Sequence, residues 1–327
     1  MNPRSEDKIT GQEDYLNYSS SHLGSNFGVI QPINFPSLPD QWTSKWETFP
    51  SSDGHLKLFS VTHMNSEAES HRALVILHGL GEHGGRYFHF PHYLKSEVSS
   101  IVCLDHRGHG RSEGLRGHIE RFDSYADDVA LAITRLDEIL QKKFGKSEIH
   151  LLGHSMGGLI VLRTLFLYTQ LPICSATVSA PLLAVKARVP TVKKSAAILL
   201  SKVWGSCHMT SELNPSDLSH DKEVVDAYQK DRLVHSKFTP KFFTQLMEHM
   251  EDTIKKDFGM NYSLQMLLPL QDKIVDSQVS LKFFRDLKLR DKLLKTYPDM
   301  FHEPFNELGK DEVFEDLRSW MRAHSVP

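Results

Sequence analysis

Glu148-Ile149-His150-Leu151-Leu152-Gly153-His154-Ser155-Met156-Gly157-Gly158-Leu159-Ile160-Val161 is the stretch that decides the fold of this chain. Its first half is a short apolar run, the length of one buried strand. Its second half predicts a helix over residues 156–168. Between them stands Gly153-x-Ser155-x-Gly157. A serine at so abrupt a strand-to-helix turn is held in a strained conformation, and small flanking residues let the backbone turn tightly. The hydroxyl then projects at the top of the sheet. The N–H of the next residue, Met156, points toward charge developing on a bound carbonyl.

Outward from this turn the same rhythm repeats. Apolar runs at 73–77, 100–104, 148–152, 175–179, 263–270 and 292–297 predict strands. Helices are predicted at 86–97, 124–140, 277–286 and 312–323. In 124–140 the residues Val129, Ile133, Leu136 and Leu140 share one face, and Ser124-x-x-Asp127 reads as a capping box. Segments 46–49 and 56–61 flank Pro50-Ser51-Ser52-Asp53-Gly54 as a hairpin. Strands alternating with helices imply right-handed crossovers and an α/β fold, a mostly parallel twisted sheet with helices on both faces. Residues 41–180 and 262–327 form its core. Residues 1–40 are polar, with serines and prolines, and read as a disordered extension. Residues 181–261 are too long for a loop and contain helical patterns at 222–230 and 240–250. They read as a helical cap over the carboxyl ends of the strands, where open sheets hold their sites.

Composition narrows the function. The chain has 327 residues, 40% hydrophobic and 24% charged, which is globular. A net charge of −3 lacks the basic excess of a nucleic-acid binder. Cys103, Cys174 and Cys207 form no Cys-x-x-Cys pair, so neither a disulfide framework nor a cysteine zinc site is expected, and a reducing compartment fits. The most apolar stretch, 151–168, is interrupted by His154, Ser155, glycines and Arg163, so no spanning helix is expected. Residues 1–26 show no secretory signal. A cytoplasmic location is expected. His89-Phe90-Pro91-His92 and His106-Arg107-Gly108-His109 lack the helical His-Glu-x-x-His spacing, so no metal is expected.

A second glycine motif competes with the first. Gly79-Leu80-Gly81-Glu82-His83-Gly84 satisfies G-x-G-x-x-G after a strand, and Asp105 ends the next strand about 20 residues on. That is the layout of a dinucleotide fingerprint. The rival is a serine hydrolase. Its serine needs a base and a group that orients the base, in the order Ser, Asp or Glu, His, each just after a later strand. Asp272 follows the strand 263–270, and His302 follows the strand 292–297. Asp276 is a second acid, and His220, His235 and His249 in the insertion are weaker bases. The second oxyanion donor comes from the loop after the first parallel strand, which places Leu80 beside Met156 in that role. The hydrolase reading accounts for both glycine motifs and for Ser155, Asp272 and His302, without a cofactor. The dinucleotide reading leaves those three residues unexplained.

On these residues the chain resembles the α/β-hydrolase superfamily, and more narrowly its monoglyceride lipase and lysophospholipase branch. The resemblance spans about residues 45–325. It is carried by His78-Gly79-Leu80-Gly81-Glu82-His83-Gly84-Gly85-Arg86-Tyr87, Asp105-His106-Arg107-Gly108-His109-Gly110-Arg111-Ser112, Gly153-His154-Ser155-Met156-Gly157-Gly158 and Asp272-Lys273-Ile274-Val275-Asp276. It implies Ser155, Asp272 and His302 as triad, and Leu80 and Met156 as oxyanion donors. It further implies Glu82, Arg86 and His154 as a polar shell beneath the oxyanion hole, and Tyr228 as a residue facing the glycerol end of substrate. The chain departs from the pattern in its 40-residue extension and in Leu268-Pro269-Leu270-Gln271, where the family carries glycines.

Residues 149–211 contain no Asp or Glu but do contain Arg163, Lys186, Arg188, Lys193, Lys194 and Lys202. Within 184–204 these cations alternate with apolar residues. Such a stretch reads either as a lid that docks on anionic lipid or as an ordinary cap helix with solvated lysines. The expected function is hydrolysis of carboxylic esters of lipids, as a monoacylglycerol lipase or lysophospholipase, with acylglycerol or lysophospholipid as substrate, peripheral membrane contact through the basic cap and no nucleic-acid partner. Two alternatives stay open: a serine aminopeptidase, thioesterase or small-ester hydrolase, and a non-catalytic binding protein on the same fold.

Overall fold

The computed structural model describes residues 38–65, 67–68, 71–186, 200–201, 204–210, 213–256 and 261–325. The extension expected at 1–40 therefore lies almost wholly outside the described residues. Eight strands form one sheet: β1 (Trp42–Pro50), β2 (Lys57–Asn65), β3 (Arg72–Leu77), β4 (Ser100–Asp105), β5 (Glu148–His154), β6 (Ser175–Ser179), β9 (Leu264–Pro269) and β10 (Lys292–Tyr297). A separate two-stranded ribbon joins β7 (Met209–Thr210) to β8 (Lys237–Phe238). The sheet order is β1-β2-β4-β3-β5-β6-β9-β10. β1 and β2 pair antiparallel, as does β2 with β4, and every later pairing is parallel.

Alternation along the strands builds a core on each face. In β3, Ala73, Val75 and Leu77 face one core while Leu74 and Ile76 face the other. The first core takes Tyr125, Val129 and Ile133 from α2 (Ser124–Phe144) and Leu159, Ile160 and Leu162 from α3 (Met156–Leu167). The second takes Leu94 from α1 (Phe90–Leu94) and Val313, Phe314 and Leu317 from α7 (Lys310–Ala323). Helix α6 (Ser277–Asp286) precedes β10. Within 181–261 lie α4 (Lys222–Lys230) and α5 (Pro240–Lys255), and α5 buries Phe242, Leu246 and Met250 in the first core. Part of that insertion is thus structurally continuous with the sheet's own core.

Two local expectations fail. The helix expected at 86–97 is broken into a 3-10 turn, Gly84–Tyr87, and the five-residue α1. Pro91 has no N–H to extend a longer helix through this point. The capping box at Ser124 does not form, because Asp123 rather than Ser124 is the N-cap residue, and its side chain makes no cap hydrogen bond. The Asp123 carboxylate is instead gripped by Arg163, at 2.9 Å through both Nε and Nη2. Asp127 accepts from the Tyr168 hydroxyl at 2.7 Å.

Candidate active site

Ser155 sits between β5 and α3 with φ 53° and ψ −116°, a left-handed conformation rare outside glycine. Burial on both sides holds it there. A Cβ on Gly157 would stand 2.1 Å from the Leu77 carbonyl and 2.7 Å from that of His78, so only glycine lets α3 start against the end of β3. Leu77 is in register with Gly153, which lays the loop carrying Leu80 beside the serine turn. Met156 is the first residue of α3, so its N–H has no acceptor within the helix. The Ser155 N–H donates to the Ser179 carbonyl of β6 at 2.9 Å, tying the turn to the next strand.

Asp272 follows β9 and His302 follows β10. The ring of His302 bridges the other two residues: Nδ1 lies 2.7 Å from Asp272 Oδ2, and Nε2 lies 3.0 Å from Ser155 Oγ. All three side chains are buried. An ionised Asp272 fixes the tautomer, since Nδ1 must donate to it and Nε2 is left to accept from the serine hydroxyl. The other Asp272 oxygen accepts from the N–H groups of Ile274 and Val275 at 2.8 and 2.9 Å. Burial opposes the charge on Asp272, but His302 and these hydrogen bonds outweigh it and hold the carboxyl below its ordinary range. Burial likewise opposes charge on His302, and the Asp272 carboxylate outweighs it, so this imidazole titrates above its ordinary 6.5.

Glu82, Arg86 and His154 gather beneath this group. Arg86 is 2% exposed and bonds Glu82 through Nη1. The acceptor that sequence reasoning missed is Glu303, which takes Nη1 at 2.7 Å and Nη2 at 2.8 Å. Glu82 Oε1 accepts from the Gly79 N–H and, at 3.0 Å, from the Tyr87 hydroxyl. One unbroken chain of polar contacts therefore runs from the neighbour of His302 to the residue before Leu80. Only adjacency to His302 marked Glu303 in the sequence, and adjacency carries no chemistry. The ring of His154 stands 4.8 Å from that of His302. Burial, then the proximity of His302, pushes it down to about 4, so His154 is neutral at pH 7. The ring of Tyr228, on α4, covers the Arg86 guanidinium at 4.9 Å.

Other expectations resolve differently. Asp105 serves the backbone: its two oxygens accept from Gly84 and Arg111 N–H groups at 2.7 Å each, and it is fully buried. That occupancy explains the fingerprint layout without a nucleotide. Asp276 caps α6 through the Gln278 N–H. His220 bonds Glu307 at 2.9 Å, and His249 bonds the Gln245 carbonyl at 2.7 Å. The basic reading of 149–211 loses two of its cations. Arg163 is buried between Asp123 and Asp252, and Lys186 donates to the Asp272 carbonyl at 2.6 Å. Residues 187–199 and 202–203, which hold Arg188, Lys193, Lys194 and Lys202, lie outside the described residues.

Residues 68–309, about three-quarters of the chain, match the family model described as serine aminopeptidase, S33. Monoglyceride lipase of Mus musculus is 30% identical over 262 residues, covering 78% of this chain and 84% of that protein. Phospholipase YtpA of Bacillus subtilis is 26% identical over 248 residues, covering 76% and 93%. Among solved structures, the monoacylglycerol lipase of Paleococcus ferrophilus superposes with a TM-score of 0.69 at 26% identity, covering 86% of this chain and 99% of that one. No described helix is long and apolar enough to cross a membrane.

Proposed function

The chain belongs to the serine aminopeptidase S33 family, and from that premise we propose that Ser155, His302 and Asp272 cleave the carboxylic ester of a monoacylglycerol. It is an ester-hydrolysing enzyme of the monoglyceride-lipase-like branch. The observation that carries the triad is the pair of contacts made by one buried imidazole, 3.0 Å to the strained serine and 2.7 Å to the aspartate.

The chemistry follows from that geometry. His302 Nε2 takes the hydroxyl proton as Ser155 Oγ attacks the ester carbonyl. Asp272 stabilises the imidazolium as it forms. The oxyanion rests on the N–H groups of Leu80 and Met156. His302 returns the proton to the glycerol oxygen as the carbon–oxygen bond breaks, leaving an acyl-serine. Water, deprotonated by the same ring, then releases the fatty acid. Tyr228 projects from α4 over Arg86, where it lines the glycerol end of the site. Residues 181–261 act as the cap that selects the acyl chain. In the cap, Trp204 is 66% exposed and Leu200 39% exposed, which supports contact with a lipid surface.

A hydrolysis panel tests the substrate. Monoacylglycerols are expected to turn over faster than lysophosphatidylcholines, acyl-CoA or amino-acid amides. Dominant amide cleavage overturns the ester reading, and dominant lysophospholipid cleavage moves the headgroup to the phospholipase class. The reaction also has a signed pH dependence. His302 must be neutral to act as base, and its raised pKa places the acidic limb of kcat/KM above pH 6.5. Asp272→Asn removes the largest cause of that rise. The limb is expected to move to lower pH while the maximum drops roughly 10³- to 10⁴-fold. An unmoved limb assigns it to another group.

A further inference from the structure

His78 opens the loop after β3 that carries Leu80. Its side chain is fully buried, with its ring centroid 4.3 Å from that of His106 and 5.4 Å from that of His109. Two backbone groups fix where its proton sits. Nε2 lies 3.0 Å from the backbone nitrogen of His106, an N–H that only donates, so Nε2 carries no hydrogen. The proton is therefore on Nδ1, which donates to the Gly79 carbonyl at 2.8 Å. Burial, then the neighbouring rings of His106 and His109, holds this imidazole well below its ordinary range, so it is neutral at pH 7.

The Gly79 carbonyl shares one peptide plane with the Leu80 N–H. In a trans peptide the two point in opposite directions, and no described peptide bond is cis. Whatever holds the carbonyl therefore aims the N–H. His78 draws the carbonyl toward the buried histidines and turns the N–H away from them. Among the described residues no acceptor takes that N–H. The peptide lies against the nucleophile: a Cβ on Gly79 would stand 3.3 Å from Ser155 Cβ. Glycines on either side of Leu80 leave this peptide free to turn over, so its direction depends on anchors. The Gly79 N–H donates to Glu82, and the Gly81 carbonyl accepts from the His235 N–H at 2.8 Å. Neither of these bonds lies on the Gly79–Leu80 peptide itself; only the bond from His78 does. A donor fixed before the oxyanion forms needs no reorganisation when the charge appears.

We propose that His78 is a positioning residue of the oxyanion hole, its Nδ1–H holding the Gly79 carbonyl so that the Leu80 N–H is aimed at the developing oxyanion. The proposal rests on the hydrolytic reading, in which Leu80 is one of two donors. Two substitutions divide the two bonds of the ring. In His78→Gln the amide reaches the Nε2 position and keeps an acceptor for the His106 N–H, but the Gly79 carbonyl loses its donor. In His78→Asn the amide stands where Nδ1 stood and keeps that donor. Rates are taken per active site, titrated to completion with a fluorophosphonate. His78→Gln is expected to lose roughly tenfold to a hundredfold in kcat with little change in KM, less than the loss of an oxyanion donor outright. His78→Asn should recover all but about threefold.

Two inhibitors separate positioning from packing. An alkyl trifluoromethyl ketone forms an oxyanion when Ser155 adds to it, whereas a glycerol monoalkyl ether has no carbonyl. His78→Gln should weaken the ketone by the same factor as kcat and leave the ether unchanged. A ketone-to-ether ratio equal to that of the wild type overturns the proposal and leaves His78 a packing role. So does a His78→Asn variant as slow per active site as His78→Gln. Nitrogen NMR of the wild type needs neither variant nor turnover: the His78 ring, assigned through its own carbons, should carry its proton on Nδ1, and a proton on Nε2 overturns the proposal. Failure of the hydrolytic reading shows differently, as a wild type that neither cleaves esters nor reacts with the fluorophosphonate at Ser155, and the oxyanion role falls with it.

Discussion

Ser155→Ala is expected to lose roughly 10³-fold or more in turnover and to fold as the wild type does. The loss is large because, among the described residues, His302 Nε2 has no second hydroxyl or thiol placed on it to replace the serine oxygen. His302 Nε2 has Ser155 Oγ as its 3.0 Å partner, and the neighbouring His154 is neutral and buried. Residual catalysis comes from the two backbone N–H groups and from binding alone. Folding is spared because the strain at φ 53° is a backbone property that alanine shares, and the change removes one oxygen without adding volume. Thermal unfolding should therefore move by less than about 0.5 kcal/mol. A fluorophosphonate probe should modify the wild-type enzyme at Ser155 and leave the variant unlabelled. Esterase turnover above a tenth of wild type in purified Ser155→Ala, or labelling mapped to another serine, places the nucleophile elsewhere.

Arg86→Met is expected to cost about 3–5 kcal/mol of stability, a large part of what holds an ordinary domain together. Glu82 and Glu303 are 3% and 4% exposed, and the one guanidinium between them bonds both. Burial resists the charge on Glu303, yet Arg86 outweighs burial and holds its pKa down to about 2. Without Arg86, Glu303 is left in a dry site without the cation that holds its pKa down, and that pKa rises. A carboxyl whose folded pKa stands above its unfolded value binds more protons when folded, so its stability falls as pH rises. The deficit of Arg86→Met should therefore be smaller at pH 5 than at pH 8 in denaturant titrations. Arg86→Lys should recover little, because an ammonium cannot make the paired contacts to Glu303. Adding Glu82→Gln and Glu303→Gln to Arg86→Met should recover part of the loss, which a mutant cycle would read as coupling. Equal unfolding of Arg86→Met and wild type at both pH values would show that the carboxylates find other partners.

These two predictions draw on different kinds of legibility. Ser155 was visible because its signature is local: a strand, the serine and a helix follow one another along residues 148–167, and sterics alone demand Gly157. Asp272 and His302 were legible by position, since a parallel sheet sends the chain back to the same edge after each strand. The Arg86 cluster was half legible. Its members Glu82 and Arg86 are neighbours on one loop, whereas Glu303 is 217 residues away from Arg86. The helix expected at 86–97 failed for a local reason, the proline at position 91. The capping box failed for a distant one, because Asp123 holds the N-cap position and its carboxylate is bonded by Arg163.

What the amino-acid order alone determined is the alternation of strand and helix, the strained turn at Ser155 and the succession of acid and base after later strands. Each depends on residues close in the chain, where backbone sterics and apolar periodicity act directly. Only the folded molecule decided that β2 and β4 lie outside β3, that Glu303 closes the Arg86 cluster, and that Arg163 and Lys186 turn inward. Those outcomes are pairings between segments far apart in the chain. Burial sets their strength, and no one-dimensional pattern records which charges will share the same dry space.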